Sequence, residues 1–307
     1  MQARPDVMPI ELAPKVAQAL AEGRAVVALE STLICHGIPR PRNLELALEV
    51  ERTVSALGAV PATVAVIDGR VRVGLDEAAL VRLAEAEDVM KCSTRDLALA
   101  LAQGRLGATT VAATIFVAGR VGIPVMATGG LGGVHRGGQD SLDISADLHE
   151  LGRAPVAVVC SGAKSILDLP RTLEVLETAG VTLVGFGTDE LPAFYARESG
   201  LGVLAVRSLA ELRDLIRQQA ALGWPGAVVV ANPPPERLAL PGATVEALVR
   251  AAVAAAREQG VRGAAETPFV LAHMARASGG ATVALNEALV IENARLAAAL
   301  AAALARA

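Results

Sequence analysis

Aromatic residues are nearly missing from this 307-residue chain: four Phe, one Tyr and one Trp make up 2% of it. Nucleic-acid binders need stacking rings on a basic surface, and here the formal charge is −4, so composition excludes a nucleic-acid partner. Cysteine is equally sparse. Cys35, Cys92 and Cys160 form no CxxC pair and are odd in number, which argues against a disulfide framework and against a thiolate zinc site. No uncharged run reaches the roughly 18 apolar residues that a membrane helix needs; the mean hydropathy of +0.46 comes from Ala and Val. Residues 1–20 carry no apolar segment flanked by a cleavage site. The expectation is a cytoplasmic protein with no membrane partner.

Lysine is the most informative scarcity. Only Lys15, Lys91 and Lys164 occur, and arginine supplies the other 25 of the 28 basic residues. On a solvated surface either residue serves. Where chemistry needs a deprotonatable amine, guanidinium cannot substitute, because it keeps its proton in proteins. Each remaining lysine is therefore a candidate for a specific role.

A chain of this length can bury roughly 75% of the surface its unfolded state exposes. Short apolar runs at 25–29, 62–67, 70–73, 124–127, 155–160, 181–186, 202–206 and 226–231 read as strands covered on both faces, since they are continuous rather than alternating. Helical patterns lie between them at 11–22, 43–57, 76–87, 95–103, 109–121, 170–179, 208–222, 244–259, 267–277 and 285–306. Asn43 and Ser208 stand where helix caps would. This alternation predicts an α/β fold: a single domain built as a three-layer α/β/α sandwich around a largely parallel sheet. An N-terminal extension over 1–10, an ordered proline-rich loop over 232–242 and a C-terminal helix over 285–307 complete the expectation.

Ligands of open α/β sheets bind beyond the carboxyl ends of the strands, which selects five segments. Glu30, directly after AVVAL, is placed for acid–base work, or for a cap or surface ion pair; His36 nearby is either functional or a satisfied structural histidine. Lys91 and Arg95 in KCSTRD suit an anion, or a solvated turn. The glycine-rich run 128–138 lets backbone amides approach an anion, with His135 and Arg136 adding charge; its spacing fits neither GxGxxG nor a P-loop. Asp143 and Asp147 in DISAD would share a face if helical, suiting a metal ligand plus a proton-transfer carboxylate. Lys164, after the strand PVAVVC, is placed to attack a carbonyl and form a Schiff base, or to hold a second phosphate. Asn286 and Asn293 offer paired donors and acceptors for a nucleobase edge, or for hydrogen bonds between helices.

The runs ALESTLICHGIPRPRN, KCSTRDLALAL, GATTVAATIFVAGRVGIPVMATGGLGGVHRG, DISADL, VCSGAKSILDLPRTLEVLET and ALNEALVIENA resemble the pseudouridine-5'-phosphate glycosidase family, which includes indigoidine synthase A-like proteins. The likeness runs from about residue 10 to residue 300. It implies reversible cleavage of the C–C glycosidic bond of pseudouridine 5'-phosphate to uracil and ribose 5-phosphate in pseudouridine catabolism. It also implies one divalent metal per subunit, usually manganese, an α/β/α sandwich and a homotrimer. By motif, Glu30 matches the proton donor, Lys164 the imine-forming nucleophile and Asp143 the metal position. Lys91, Val111, Ser145, Ala146 and Asp147 match substrate contacts, with Asp147 also placed for proton transfer. Thr128 and His135 fall near the phosphate, and Asn286 near the uracil. Two other readings compete: a Schiff-base lyase or aldolase acting on another sugar phosphate, and a non-catalytic sugar-phosphate sensor.

Overall fold

The computed structural model of the protein describes residues 9–261 and 266–305; residues 1–8 of the expected N-terminal extension, the segment 262–265 and the last two positions of the expected C-terminal helix lie outside the described residues. Among the described residues, eleven strands form one sheet. They are β1 (Ile10–Leu12), β2 (Val26–Leu29), β3 (Val60–Ile67), β4 (Arg70–Val73), β5 (Met90–Cys92), β6 (Gly107–Thr109), β7 (Val125–Ala127), β8 (Ala157–Cys160), β9 (Thr182–Phe186), β10 (Leu204–Val206) and β11 (Val228–Ala231). The main path runs β1-β4-β3-β2-β7-β8-β11-β9-β10, with β6 joining β3 and β5 joining β6. Two pairings are antiparallel, β3 with β4 and β3 with β6. The rest are parallel, as a doubly covered sheet requires.

Burial explains why the central strands read as unbroken apolar runs. Val27 and Leu29 of β2 and Ala157 and Val159 of β8 enter one core, while Val26, Ala28 and Val158 enter the other. Successive side chains point to opposite faces, so a strand feeding two cores has no polar side to show. The first core is closed by helices Arg42–Ala56, Leu209–Ala221, Gly242–Glu258, Glu266–Ala277 and Ala281–Ala305. The second is closed by Pro14–Ala21, Leu97–Ala102, Val111–Val121, Ala146–Leu151 and Leu169–Thr178. The expected three-layer sandwich is what forms. Helix Ala281–Ala305 is long and apolar enough to cross a membrane by length and composition, but it packs on β2, β7 and β8 with Leu285, Leu289, Ala294 and Ala298 fully buried.

Three strands were not legible. β1, β5 and β6 have three residues each, and unlike the equally short β7 and β10 they do not sit in longer unbroken apolar runs. The helix expected from residue 11 begins at Pro14, after β1 has paired with β4. Asn43 is also not a cap: it lies inside its helix, buried, and its amide donates to the Ile34 and Ala84 carbonyls. Ser208 does cap, accepting from Glu211 N–H.

β5 and β6 matter most for the site. β6 runs against β3, so its carboxyl end at Thr109 meets the carboxyl end of β2 rather than the opposite edge. A buried hydroxyl cluster fixes that meeting. Ser31 Oγ donates to the Val64 carbonyl at 2.7 Å and accepts the Thr109 N–H at 2.9 Å. Thr109 Oγ1 donates to the same carbonyl at 2.7 Å, and Thr114 donates to Thr109 Oγ1 at 2.9 Å. Thr32 Oγ1 reaches the Thr109 carbonyl at 2.8 Å. Ser31→Ala strands a buried N–H and is expected to cost about 1–3 kcal/mol, seen as a lower denaturant midpoint at unchanged slope. Ser55→Ala, which removes only an exposed bond to the Glu51 carbonyl, is expected to leave the midpoint in place.

Candidate active site

Four strand ends converge on one cleft. Glu30 follows β2, Lys91 lies in β5, the glycine run follows β7 and Lys164 follows β8. The turn carrying Lys164 extends the pairing of β7 with β8. Ser161 N–H donates to the Gly129 carbonyl, Leu131 N–H to Gly162, and Lys164 N–H to Leu131, at 2.9–3.0 Å. Gly162 makes this possible, with φ +81° and no room for a side chain beside the Pro192 carbonyl.

The cleft has two chambers that share Glu30, Thr32, Lys91, Lys164 and Thr267. They span about 540 and 1160 Å³, open mouth included. The smaller is walled by Leu33, Phe194, Pro268 and Leu271, with His36 and Asn286 as the polar side chains it does not share with the larger. The larger is polar, lined by Ser93, Arg95, Thr110, Val111, His135, Asp143, Ser145, Ala146 and Asp147 among others. Helix Val111–Val121 starts there with Thr110 as its cap; Asp147 and the Thr110 hydroxyl take the Ala112 and Ala113 N–H groups, so the helix offers an anion its Val111 amide and the positive end of its dipole.

The electrostatics follow the burial. Loss of solvent pushes the Glu30 carboxyl above the ordinary carboxylate range, and Asp147 adds to that; Lys164, the Thr128 hydroxyl and Lys91 pull the other way. Thr128 donates a short hydrogen bond to Glu30 Oε1. Although Lys91 remains exposed as a residue, desolvation in the cleft and then the Lys164 charge lower its pKa.

Several expected residues occupy other places than the sequence suggested. Asp143 and Asp147 do not share a helix face. The segment after the glycine run folds back as a hairpin, with His135 N–H bonded to the Asp143 carbonyl and Ser145 N–H to Gly133. Helix Ala146–Leu151 starts only after Ser145, whose side chain caps it. Asp143 therefore meets His135, with Nδ1–Oδ2 at 3.9 Å, and Glu266 joins them: one ligand atom from each lies within 4.8 Å of the others. An imidazole with two carboxylates is a donor set that can hold a divalent metal ion. Glu266 was missed because its partners lie more than a hundred residues away in the sequence.

Asp147 is buried, and both its carboxylate oxygens accept backbone N–H groups at 2.8 Å, Ala112 on one and Gly132 on the other. It pins the start of the Val111 helix to the glycine run. Gly132 has to be glycine, because a Cβ there would strike the Ser145 hydroxyl. Thr128 lies against Glu30 rather than along the polar chamber. Arg136 turns away from the polar chamber to bond Glu246 through two N–H groups at 2.8 and 2.7 Å, and the Ser165 carbonyl at 3.4 Å. Of the two asparagines, Asn293 is structural: it donates to the Thr128 carbonyl at 2.9 Å and accepts from Asn232 at 3.0 Å. Asn286 Oδ1 is buried without a hydrogen-bond partner among the described residues. Phe194, also missed, holds φ +63° and is 2% exposed; nothing in its sequence neighbourhood signals that backbone state.

Over nearly its whole length the chain is similar to known proteins. The family model described as "Indigoidine synthase A like protein" matches residues 15–303. A protein named pseudouridine-5'-phosphate glycosidase from Paracoccus denitrificans is 53% identical over 299 residues, covering 96% of this chain and 98% of that one. One of the same name from Herpetosiphon aurantiacus is 54% identical over 300 residues, covering 95% and 97%. Among solved structures, prealnumycin C-glycosynthase AlnA in complex with ribulose 5-phosphate superposes with a TM-score of 0.91 at 42% identity, covering 98% of each chain. An indigoidine synthase A-like protein from Thermotoga maritima gives 0.89 at 33% identity, covering 99% and 100%.

The Glu30 environment yields a signed prediction. A carboxyl with a raised pKa stays protonated up to that raised value and loses its proton above it. The Thr128 hydroxyl favours the charged form, so Thr128→Val is expected to move the Glu30 titration to higher pH still. Isotope-edited infrared titration of the carboxyl band measures this; a shift downward contradicts the assignment.

Proposed function

This chain belongs to the indigoidine synthase A-like protein family, and we propose that it cleaves the C–C glycosidic bond of pseudouridine 5'-phosphate through an imine on Lys164. It is an enzyme of the pseudouridine-5'-phosphate glycosidase type. The observation that carries the mechanism is the meeting of Glu30 and Lys164 where an apolar chamber fit for a base opens into a polar chamber fit for a sugar phosphate.

A C–C glycoside has no basic leaving oxygen, so the paired carboxylates of ordinary glycosidases do not suffice. The Lys164 amine replaces the ring oxygen at C1', and that oxygen leaves as the 4'-hydroxyl, taking a proton. The nitrogen lone pair then forms C1'=N while the bond between C1' and uracil C5 breaks. The electron pair stays on C5, which takes the proton of Glu30. Water adds to the imine and releases ribose 5-phosphate and the free lysine. Cys160, at the same strand end, is no competing nucleophile, since burial pushes its thiol up to about 12.

Lys91, Ser145, Ala146 and the Val111 amide hold the phosphate end, with His135 at the rim, and so keep the opened sugar in place away from the reacting carbon. Asn286 contacts the uracil. Asp147 acts as a positioning residue for the Ala112 and Gly132 amides. His135, Asp143 and Glu266 would hold a divalent metal, manganese on this reading, which supplies Lewis acidity and fixed positive charge beside the sugar phosphate. In the cell the enzyme works in the cytoplasm as a homotrimer, the assembly that the family resemblance implies.

The test is uracil release from pseudouridine 5'-phosphate with borohydride added during turnover. A ribose-phosphate adduct on Lys164 is expected, and Lys164→Ala should abolish both adduct and turnover. A label on another residue removes the imine assignment, and turnover of simple aldol substrates alone favours the aldolase reading. For the metal, Asp143→Asn and Glu266→Gln are each expected to weaken Mn2+ binding at least about tenfold, measured by equilibrium titration. Unchanged affinity in Glu266→Gln takes that residue out of the site.

A further inference from the structure

His36 stands apart from the polar groups around it. It lies on the helical turn Leu33–Gly37, which begins three residues after Glu30, and it lines the apolar chamber. Its Nε2 is buried and has no hydrogen-bond partner among the described residues. Desolvation, and then the Lys91 charge, lower the pKa of the ring, so the imidazole is neutral at physiological pH. In the tautomer that carries its N–H on Nδ1, Nε2 is a bare acceptor. A buried acceptor of this kind calls for a donor. In the apolar chamber that donor comes from the ligand.

The chemistry of the leaving group says which donor. This step rests on the glycosidase reading. A uracil joined to the sugar through C5 keeps both ring N–H groups, on opposite edges. The N3 edge offers a donor beside the C4 carbonyl, a pattern that an amide such as Asn286 matches from both sides. The N1 edge offers its donor between the C2 carbonyl and C6–H. An acceptor fits that N–H. In an N-linked uridine nucleotide, N1 is consumed by the glycosidic bond and has no hydrogen to give.

We propose that His36 Nε2 accepts the N1–H of the C-linked uracil, making His36 the residue that distinguishes a C-glycoside from its N-linked isomer. The contact also assists the chemistry. The N1 lone pair is conjugated through C6=C5, so polarising N1–H towards the imidazole raises electron density at C5, the atom that takes the Glu30 proton.

The measurement is kcat/KM for pseudouridine 5'-phosphate and its N1-methyl analogue with the natural chain, His36→Ala and His36→Gln. The natural chain is expected to disfavour the analogue about tenfold. His36→Ala should lower the parent by a similar factor and leave the analogue unchanged, so that the two become equal. His36→Gln, which restores an acceptor, should recover part of the preference. Equal use of both substrates by the natural chain overturns the proposal. So does a gap closed in His36→Ala by a faster analogue with an unchanged parent, the sign of a steric wall. Calorimetry of uracil against 1-methyluracil on the natural chain needs no variant to fold, and equal affinities there also refute the contact. Failure of the natural chain to release uracil from the parent is a separate outcome that refutes the glycosidase reading and this contact with it.

Discussion

The hydroxyl cluster of Ser31, Thr109 and Thr114 around the Val64 carbonyl joins two parts of the sheet that run in opposite directions. β5 and β6 leave the parallel order and return antiparallel to β3. β6 pairs with Ala65 and Val66, beyond the stretch of β3 that pairs with β2, so only a strand running back along β3 returns Lys91 and the start of helix Val111–Val121 to Glu30 and Lys164. Buried polar groups at such a junction are tolerated only when every donor and acceptor is matched. Here Ser31 Oγ both donates and accepts, and the Val64 carbonyl takes two hydroxyls. The cleft is therefore a consequence of a satisfied polar network placed where two strand directions meet.

The same accounting separates scaffold from site around the cleft. Asn293, Asp147 and Arg136 are chemically suited to ligand binding, yet each has its polar atoms engaged by the protein. Asn286 and His36, one on the C-terminal helix and one beside Glu30, keep buried atoms with no partner among the described residues. Asn286 and Asn293 are one heptad apart on the same helical face, so spacing could not divide them. Hydrogen-bond partners do.

How much of this was legible depended on the range over which each feature is encoded. The central strands and the long helices are local patterns, and β2, β7, β8 and β11 lay where unbroken apolar runs placed them. Glu30 and Lys164 were legible because a strand end is local too. β1, β5 and β6 were not, and neither was the hairpin that swings Asp143 onto His135. In DISAD a spacing of four suggested a helix, but Ser145 takes an extended backbone to cap the helix that follows, so the period is interrupted between the two aspartates. Glu266 and Phe194 enter the cleft from segments with no local mark of chemistry.

Phe194 shows how the apolar wall and the amine are held by one piece of chain. Its positive φ costs energy for a residue with a side chain, and its own hydrogen bond, N–H to the Ser161 carbonyl at 3.0 Å, offsets part of that. Ser165 Oγ donates to the Ala193 carbonyl at 2.6 Å and accepts the Tyr195 N–H at 3.3 Å. Ser161 and Ser165 bracket Lys164 on the exit of β8. Any shift of that exit would move the aromatic wall and the amine together, preserving their relative placement. The bare glycines opposite complete the arrangement: a Cβ on Gly130 would run into the Phe194 ring. The ring and the glycine run therefore fit only in the packing that also fastens Lys164 N–H to Leu131, so the strained residue fixes where the amine stands.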